Sequence, residues 1–469
     1  MILGGLMLST LTASLYFHSG DQYAILIAAL ITSGSGFLLY LIKRDSSVIR
    51  KREGYLVVSL GWIVISLFGM LPYLINGAIP NITDAFFETV SGFTTTGASV
   101  LNNIEEMPEG LLLWRSMTQW IGGMGIIVMT IAILPILGIG GMELFVAEAP
   151  GPTSDKIHPR ITETAKRLWA VYLTLTVLEA ILLMAGGMTF YDAINHAFTT
   201  MATGGFSTKN NSIAYYDSAY LQYIIILFMF LAGTNFTLNY FLIKLKPGKL
   251  WKNQEFKAYL IICVSLTVAI GTYLYLNNLD TLQPEKCFRD ALFQTVSLIT
   301  TTGYVTADYT SWAPFLTVVF FLMMFLGGSA GSTGGGVKIV RHLALAKNSL
   351  LEFKRIIHPR AVIPVKINGR IVPQKIITNI MVFILIYLIV FAFGSVVMSA
   401  FGLDFDTALG SVATSLGNIG PGIGSVGPVD NFYSIPTGGK WFLTILMLIG
   451  RLELYTMLSL LMPWFWKTS

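Results

Sequence analysis

The sequence predicts an all-α membrane protein with about ten transmembrane helices, on the basis of its composition, its long apolar runs and a fourfold internal repeat. Of the 469 residues, 54% are hydrophobic and only 12% are charged, whereas soluble domains carry about 25% charged residues. So few charged residues cannot cover the surface of a soluble protein of this size. The composition therefore favours a lipid bilayer as the solvent of this chain.

About ten apolar runs are long enough to cross the hydrocarbon core of a bilayer, which is roughly 30 Å thick. They cover approximately residues 1–17, 23–42, 55–76, 113–140, 168–188, 219–245, 258–277, 313–340, 376–401 and 440–465. The first run lacks the cleavage pattern of a signal peptide, so we expect it to be a helix.

The Lys and Arg residues predict the orientation of these runs. Most of the 30 lie in alternate connections, at residues 43–52, 156–167, 244–257 and 338–375, and one lies near the C-terminus at Lys467. Because positively charged connections resist translocation, we expect these connections and both termini in the cytoplasm. This bias accounts for the net charge of +5, so the charge needs no nucleic-acid partner to explain it.

Four similar segments lie on the predicted outer side, each between two apolar runs. They run from Asp84 to Gly97, from Asp192 to Gly205, from Asp290 to Gly303 and from Asp406 to Gly420. The glycine follows the aspartate by thirteen residues in the first three segments and by fourteen in the fourth. A repeat in one topological position predicts four equivalent structural units.

Each segment is too short to span the bilayer and too apolar for a solvated loop, so we expect it to enter the membrane and return on the same side. The aspartate is expected to be the N-cap of a helix of about three turns. This helix would end at the glycine, with its negative dipole end toward the bilayer centre. Glycine allows the positive φ that turns successive carbonyls the same way, and four such stretches around one axis can replace the water shell of a cation. The alternative, four amphipathic outer loops that cap a helical bundle, is disfavoured by the fourfold recurrence.

Several motifs resemble those of the Trk/Ktr/HKT superfamily of potassium transporters, and in particular its Trk-type pore subunits. They are TTTGAS, TGGFST, TTTGY and NIGPGIG in the four segments, and HPRAVIPVKINGR in the last large cytoplasmic connection. The resemblance covers essentially the whole chain, and the two additional helices in residues 1–42 favour the Trk type over the shorter Ktr type. It implies four helix–pore loop–helix repeats that form a single-chain pseudo-tetrameric pore.

The resemblance also implies a division of the chain and a set of partners. We expect residues 1–53 to hold two N-terminal helices and a cytoplasmic connection, and residues 54–167, 168–257, 258–374 and 375–469 to hold repeats 1 to 4. Potassium uptake across a bacterial inner membrane is implied, by a homodimer with one pore per protomer and a cytosolic nucleotide-binding regulatory subunit of the TrkA type. Potassium is then the substrate, and no cofactor is expected in this chain.

Potassium binding is expected at backbone carbonyls of a selectivity filter, as the resemblance implies. The filter residues are Thr95, Thr96, Gly97, Thr203, Gly204, Gly205, Thr301, Thr302, Gly303, Asn418, Ile419 and Gly420. The fourth segment departs from the others, because Asn418 stands in place of threonine and Pro421 follows the glycine, so we expect an asymmetric filter. Glycine in all four repeats fits potassium, whereas serine in the first would favour sodium passage.

Residues 327–336 contain six glycines inside a predicted apolar run. Each glycine costs a helix about 1 kcal/mol relative to alanine, so we expect the helix to break here, in protein or beside water. The resemblance implies an intramembrane gating loop, with the gate residues Gly327, Gly328, Ser329, Gly331, Gly334, Gly335, Gly336 and Arg451. A phosphate-binding loop is disfavoured because Val337 separates the last glycine from Lys338. A flexible linker at the membrane edge stays an alternative.

Arg451 lies in the last apolar run, where a buried arginine is costly and usually faces a cavity or a partner. One interpretation is a structural ion pair with Glu453 or with a carboxylate of a repeat. The other, which the resemblance supports, is a positive charge in the pore that raises the barrier to cations.

Two other classes of function fit the sequence less well. A membrane enzyme needs catalytic groups clustered at one depth, but the five histidines are scattered and lack metal-ligand spacing. A carrier built from inverted repeats would show broken helices of opposite topology, whereas these four repeats share one topology. A sodium/potassium-permeable pore or a proton-coupled cation symporter of the same superfamily stays open.

Overall fold

The computed structural model of the chain is predominantly helical, which confirms the all-α class, and it describes residues 1–42, 51–128, 161–277, 283–452 and 454–466. In the described ranges the sheet consists of one antiparallel hairpin of β1 (Lys366–Ile367) and β2 (Arg370–Ile371). Its turn residues, Asn368 and Gly369, both have positive φ, as a two-residue hairpin turn requires.

The α-helices of the described residues follow one another along the chain. They are α1 (Ile2–Phe17), α2 (Gln22–Ile42), α3 (Lys51–Gly69), α4 (Leu71–Asn76), α5 (Ile82–Phe93), α6 (Glu109–Val128), α7 (Ile161–Ala185), α8 (Phe190–Met201), α9 (Ala219–Ala232), α10 (Phe236–Ile243), α11 (Gly248–Lys252), α12 (Gln254–Asn277), α13 (Pro284–Ile299), α14 (Pro314–Met323), α15 (Ile339–Ile357), α16 (Gln374–Ala400), α17 (Phe405–Gly417), α18 (Thr437–Arg451), α19 (Leu454–Leu460) and α20 (Pro463–Trp466).

Five described helical stretches are long and apolar enough to cross a membrane. They are Gln22–Leu41, Glu53–Asn76, Glu163–Ala185, Gln254–Asn277 and Gln374–Ala400. A sixth span results if α9 and α10 are joined across the 116° bend between them. The chain is therefore a multi-pass membrane protein by the length and composition of its helices.

Four short helices, α5, α8, α13 and α17, form the interior, and we call them the pore helices. They have 12, 12, 16 and 13 residues, and their C-terminal halves are almost entirely buried. Each packs against the helix before it and the helix after it in the chain. In addition, α5 contacts α18, α8 contacts α6, and α13 contacts α9. Every pore helix is thus packed among at least three other helices or between its two neighbours in the chain.

The N-terminal helices α1 and α2 pack against each other and are fixed to the first pore region through one buried acid. Asp21, between the two helices, accepts hydrogen bonds from the Ser19 hydroxyl at 2.6 Å and from the Leu111 backbone N–H at 2.9 Å. Because Leu111 lies in the first turn of α6, this carboxylate joins the additional helices to repeat 1.

The prediction that the repeat aspartates cap the pore helices is wrong. The side chains that cap three of them are Asn81, Thr189 and Asp404, and each accepts a backbone N–H at the helix start. The bonds from Thr407 hold the pKa of Asp404 below its usual value. The repeat aspartates lie inside the helices instead. Asp84, Asp192 and Asp406 are in the first turn, where they meet the positive end of the helix dipole, whereas Asp290 is beyond it.

The prediction of one continuous helix over 219–245 is also wrong. The helix ends at Ala232 and restarts at Phe236, because the Asn235 side chain accepts the Thr237 N–H at 2.8 Å and caps α10. The predicted run 440–465 is divided, because α18 ends at Arg451 and α19 begins at Leu454. Of the predicted run 113–140, residues 129–140 lie outside the described part.

Candidate ion-conduction site

Each pore helix ends in the same backbone turn, and we call these four turns, residues 94–97, 202–205, 300–303 and 417–420, the filter turns. In each, the N–H of the residue before the final glycine bonds back five residues. The pairs are Thr96 to Ser91 (2.9 Å), Gly204 to Thr199 (2.8 Å), Thr302 to Ser297 (2.9 Å) and Ile419 to Thr414 (3.0 Å). This is the hydrogen bond of a Schellman-type C-cap.

The residue at the left-handed position of each turn is not glycine. Thr95, Thr203, Thr301 and Asn418 have φ of 54°, 53°, 58° and 52°. Positive φ is uncommon outside glycine and is an outlier for β-branched residues such as threonine. Such strain persists only where the surroundings enforce it and is concentrated at functional sites.

The four final glycines form a closed ring. Gly97, Gly205, Gly303 and Gly420 have φ of 81°, 76°, 81° and 103°. A Cβ on each of the first three would overlap a carbonyl oxygen of the next repeat, that of Gly204, Thr302 and Ile419 respectively. A Cβ on Gly420 would lie 3.0 Å from the carbonyl oxygen of Thr96 in repeat 1. The contacts therefore run from repeat 1 through repeat 4 and back to repeat 1. The ring therefore tolerates only glycine at three of its four positions.

A cavity of about 180 Å³ lies next to this ring and is lined by all four final glycines. Its wall also includes residues that follow the filter turns, among them Ser99, Ser207 and Val305, and the charged residues Lys209 and Asp430. One cavity thus gives access to all four filter turns at once.

The side chains around the ring are less symmetric than its backbone. The hydroxyls of Thr94 and Thr96 pair at 2.7 Å in repeat 1, and those of Thr300 and Thr302 pair at 2.8 Å in repeat 3. In repeat 4, the Asn418 amide instead donates to the Thr96 hydroxyl at 2.9 Å. Repeat 4 has no such threonine pair, since Gly417 and Ile419 occupy those positions, and its asparagine bonds to the neighbouring repeat.

The glycine-rich segment lies against the C-terminal ends of the pore helices. The chain is irregular between α14 and α15, and two backbone bonds close the base of this loop, Gly327 N–H to Val337 C=O at 2.8 Å and Ile339 N–H to Gly328 C=O at 3.2 Å. Most of residues 327–336 are buried. This burial argues against a free linker at a membrane edge.

The tip of the loop contacts the C-terminal ends of three pore helices. The Thr333 hydroxyl donates to the Met201 carbonyl of α8 at 3.0 Å, and the Gly335 N–H donates to the Thr301 hydroxyl at 2.7 Å. A Cβ on Gly335 would lie 2.5 Å from the Gly417 carbonyl of α17. The loop therefore lies where three helix dipoles present their negative ends.

The bend between α9 and α10 anchors the loop from one side. The Ser329 N–H donates to the Gly233 carbonyl at 2.8 Å, and the Asn235 amide donates to the Ala330 carbonyl at 2.7 Å. On another side, the Ala330 N–H donates to the Glu255 carboxylate at 2.8 Å. The sequence did not predict the anchor at the bend or the anchor at Glu255. For the bend, an asparagine after Gly-Thr was the only sign of a break in the apolar run.

Arg451 joins the tip of the loop to α6, at a residue that packs against the end of the first pore helix. Its guanidinium donates to the Thr333 carbonyl at 2.7 Å and to the Gly122 carbonyl at 3.2 Å. Gly122 lies directly behind the end of α5, since a Cβ there would overlap the Phe93 carbonyl oxygen. The loop and Arg451 together thus reach all four pore helices.

The ion pair of Arg451 with a repeat carboxylate, which was the alternative interpretation, is not found among the described residues, where its partners are backbone carbonyls. Asp84, the carboxylate of repeat 1, pairs with Lys440 at 2.7 Å. Glu453, the other predicted partner, lies outside the described residues. Arg451 is 3% exposed and its Nε has no hydrogen-bond partner in the described part of the chain.

Comparisons with known proteins identify the family. The chain matches the TrkH family, described as cation transport protein, over residues 21–463. It belongs to this family. The resemblance noted from the motifs is therefore confirmed.

Individual relatives cover nearly the whole chain. The Trk system potassium uptake protein TrkH of Vibrio parahaemolyticus is 43% identical over 91% of this chain and 88% of the relative, and that of Salmonella typhimurium is 40% identical over 100% and 96%. The crystal structure of the potassium transporter TrkH from Vibrio parahaemolyticus matches with a TM-score of 0.90 and 39% identity, over 99% of this chain and 97% of that one.

The position of Arg451 predicts that its removal increases cation flux. A unit charge about 5 Å from a passing cation opposes it by about 3 kcal/mol at an effective dielectric of about 20, or roughly a hundredfold in rate at most. We expect Arg451→Gln to raise cation flux into proteoliposomes severalfold with little loss of thermal stability in detergent.

The variant Arg451→Lys separates charge from anchoring, because it keeps the charge but lacks the planar fork that bridges two carbonyls. Low flux in Arg451→Lys is the result expected of a charge barrier, whereas flux as high as in Arg451→Gln would show that anchoring matters instead. Flux that falls together with thermal stability in both variants would contradict a barrier altogether.

Proposed function

We propose that this chain is the pore-forming subunit of a Trk-type potassium uptake system in a bacterial inner membrane. The observation that carries the proposal is the closed ring of four filter turns, all of which line one cavity. Relatives that span almost the whole chain are named Trk system potassium uptake proteins, which supports potassium as the substrate.

In this proposal, potassium binds backbone carbonyls of the predicted filter residues in place of its water shell. Glycine at the end of each turn removes the side chains that would push neighbouring turns apart. The negative ends of the pore-helix dipoles favour a cation below the ring. Selectivity then depends on how firmly the four turns are held at their mutual distances.

The loop of residues 327–336 and Arg451 are the proposed gate. Their contacts at the ends of three pore helices, and the Arg451 bond to Gly122 behind the fourth, support this role. A cation leaving the ring on that side meets the loop tip and a positive charge. Loop backbone without regular structure is tolerated at this depth because it is buried in protein and bonded to it. Opening requires the loop tip to leave Thr301 and Met201.

The four pore helices and their neighbours support the predicted arrangement of four helix–pore loop–helix repeats in residues 54–469, after two additional helices. We further propose about ten membrane crossings, with both termini in the cytoplasm, because the Lys and Arg residues concentrate in alternate connections. The chain carries out transport and no chemical reaction.

Substitution of Gly303 tests the filter directly. Gly303→Ala places a methyl group against the Ile419 carbonyl and 2.8 Å from Pro421 Cδ, so the ring must widen. We expect the preference for potassium over sodium to fall roughly tenfold, which corresponds to about 1.4 kcal/mol. Reversal potentials in planar bilayers with the purified protein measure this preference.

Gly20→Ala is a matched control, because Gly20 has the same φ of 81° but nothing within 4 Å of its Cβ position. It experiences the same backbone strain away from the ring, and its ion preference should equal that of the parent chain. An unchanged preference in Gly303→Ala would contradict the filter, and a parent chain that carries sodium equally well would contradict potassium uptake.

We also propose that the chain forms a homodimer and that a cytosolic nucleotide-binding subunit of the TrkA type binds its cytoplasmic face. Residues 338–375 are rich in Lys and Arg, and such a face attracts an acidic partner over about 8 Å at physiological salt. Lys354 and Arg360 are exposed on it. Arg355 is occupied, since it bonds to the Ile363 carbonyl at 2.8 Å and to Glu352 at 2.7 Å.

Charge reversal at Lys354 and Arg360 is expected to weaken this association severalfold, because it turns attraction into repulsion. Co-purification with a TrkA-type subunit at two salt concentrations measures the effect. Lys246→Glu, on another cytoplasmic connection, is the control and should bind normally. If the parent chain, the charge-reversal variant and Lys246→Glu bind the subunit equally, the docking surface lies elsewhere.

A further inference from the structure

One position in each pore helix contacts the chain segment that leaves the filter turn. It is the fourth residue after the repeat aspartate, and the four residues are Glu88, His196, Gln294 and Gly410. His196 Nε2 lies 2.9 Å from the Ser207 hydroxyl, and the Gln294 amide donates to the Thr306 hydroxyl at 3.3 Å. These partners follow their filter glycines by two and three residues.

Repeat 4 uses close backbone contact at this position. A Cβ on Gly410 would lie 2.5 Å from the carbonyl oxygen and 2.6 Å from the nitrogen of Ile423. The leaving segment thus occupies the space that a side chain fills in the other repeats. The fourth residue after the aspartate therefore supports the segment that leaves the filter turn in all four repeats, through different kinds of contact.

Repeat 1 has the strongest set of contacts. The Glu88 carboxylate accepts hydrogen bonds from the Ser99 hydroxyl at 3.0 Å and from the Val100 N–H at 2.9 Å. It also pairs with Arg115 of α6 at 2.7 Å, and the two side chains are 0% and 3% exposed. A buried ion pair is destabilising when one partner is removed, because the other charge is left uncompensated.

Arg115 extends this contact to repeat 2. Its guanidinium donates to the Ser207 carbonyl at 3.0 Å and lies 3.5 Å from the centre of the Phe206 ring. Phe206 and Ser207 directly follow the filter glycine Gly205. One ion pair therefore holds the leaving segments of two neighbouring repeats at a fixed distance.

Gln119, one turn further along α6, contacts the second filter turn itself. Its amide donates to the Gly204 carbonyl at 2.7 Å and its carbonyl accepts the Phe206 N–H at 3.1 Å. The Gly204 carbonyl oxygen is the atom that lies against Gly97 in the ring. Gln119 thus fixes the orientation of a peptide group at the contact between repeats 1 and 2.

We propose that Glu88, Arg115 and Gln119 are positioning residues that hold the first two filter turns as one unit and thereby determine cation selectivity. None of them belongs to the predicted filter, and the inference rests on the proposed function of the ring. A carbonyl ring that discriminates between cations by the size of its cavity needs oxygens that resist moving toward a smaller ion. The three side chains supply that resistance on one side of the ring.

Glu88→Gln and Gln119→Met test this role. The first removes the charge that pairs with Arg115, and the second removes both bonds to the second turn without any change in charge. We expect each to lower the potassium-over-sodium permeability ratio by roughly tenfold while potassium still passes. Reversal potentials and thermal stability in detergent are measured on the same preparations. The double variant is measured as well, and its fold-loss of the permeability ratio should be smaller than the product of the two single fold-losses.

Glu285→Gln is the matched control, since Glu285 forms an ion pair with Arg289 at 2.9 Å in the first turn of another pore helix, α13. Its permeability ratio should equal that of the parent chain. Reduced stability with an unchanged ratio in Gln119→Met would overturn the inference, because it indicates a structural role only. A parent chain without potassium preference would overturn the proposed function instead, so the two failures are distinguishable.

Discussion

The contact between a backbone carbonyl of one filter turn and the final glycine of the next is the constraint on which the rest of this structure depends. Four turns can approach this closely only if no side chain stands between them, which requires glycine at the contact and positive φ. The strained threonines two residues earlier follow from the same requirement, because each pore helix must end abruptly for its turn to reach the ring. The surrounding helices stabilise this strain by burying the pore helices on all sides.

The two faces of the ring are built differently, so the two sides of the site are not equivalent. One face opens to a cavity of about 180 Å³ that reaches all four glycines. The other is covered by the glycine-rich loop, which bonds to the end of a pore helix at Met201, and by Arg451, which bonds to the loop and to Gly122 of α6. An arginine can remain in this position because several helix dipoles and carbonyl groups compensate its charge. The loop depends on glycine for the same reason as the ring, namely close approach of backbone to backbone.

The sequence could predict the elements that repeat, and it could not predict the contacts between them. Gly97, Gly205, Gly303 and Gly420 were identified by their spacing, and the break at residues 327–336 by glycine content. The capping role of Asn81 and Thr189 was missed because several polar residues near each helix start can cap it. The bend at Asn235 was hidden in an apolar run, and the contacts of Arg115 and Gln119 with repeat 2 join residues about ninety positions apart, which no local pattern encodes.

The proposed function requires that the ring of filter turns bind a dehydrated monovalent cation. Its most direct test is an anomalous difference map from crystals of the parent chain grown with thallium, a heavy substitute for potassium. The account predicts a peak on the axis of the ring, at similar distances from the carbonyls of all four filter turns, that weakens as potassium is added. A map from well-ordered crystals with thallium elsewhere and none inside the ring would contradict it.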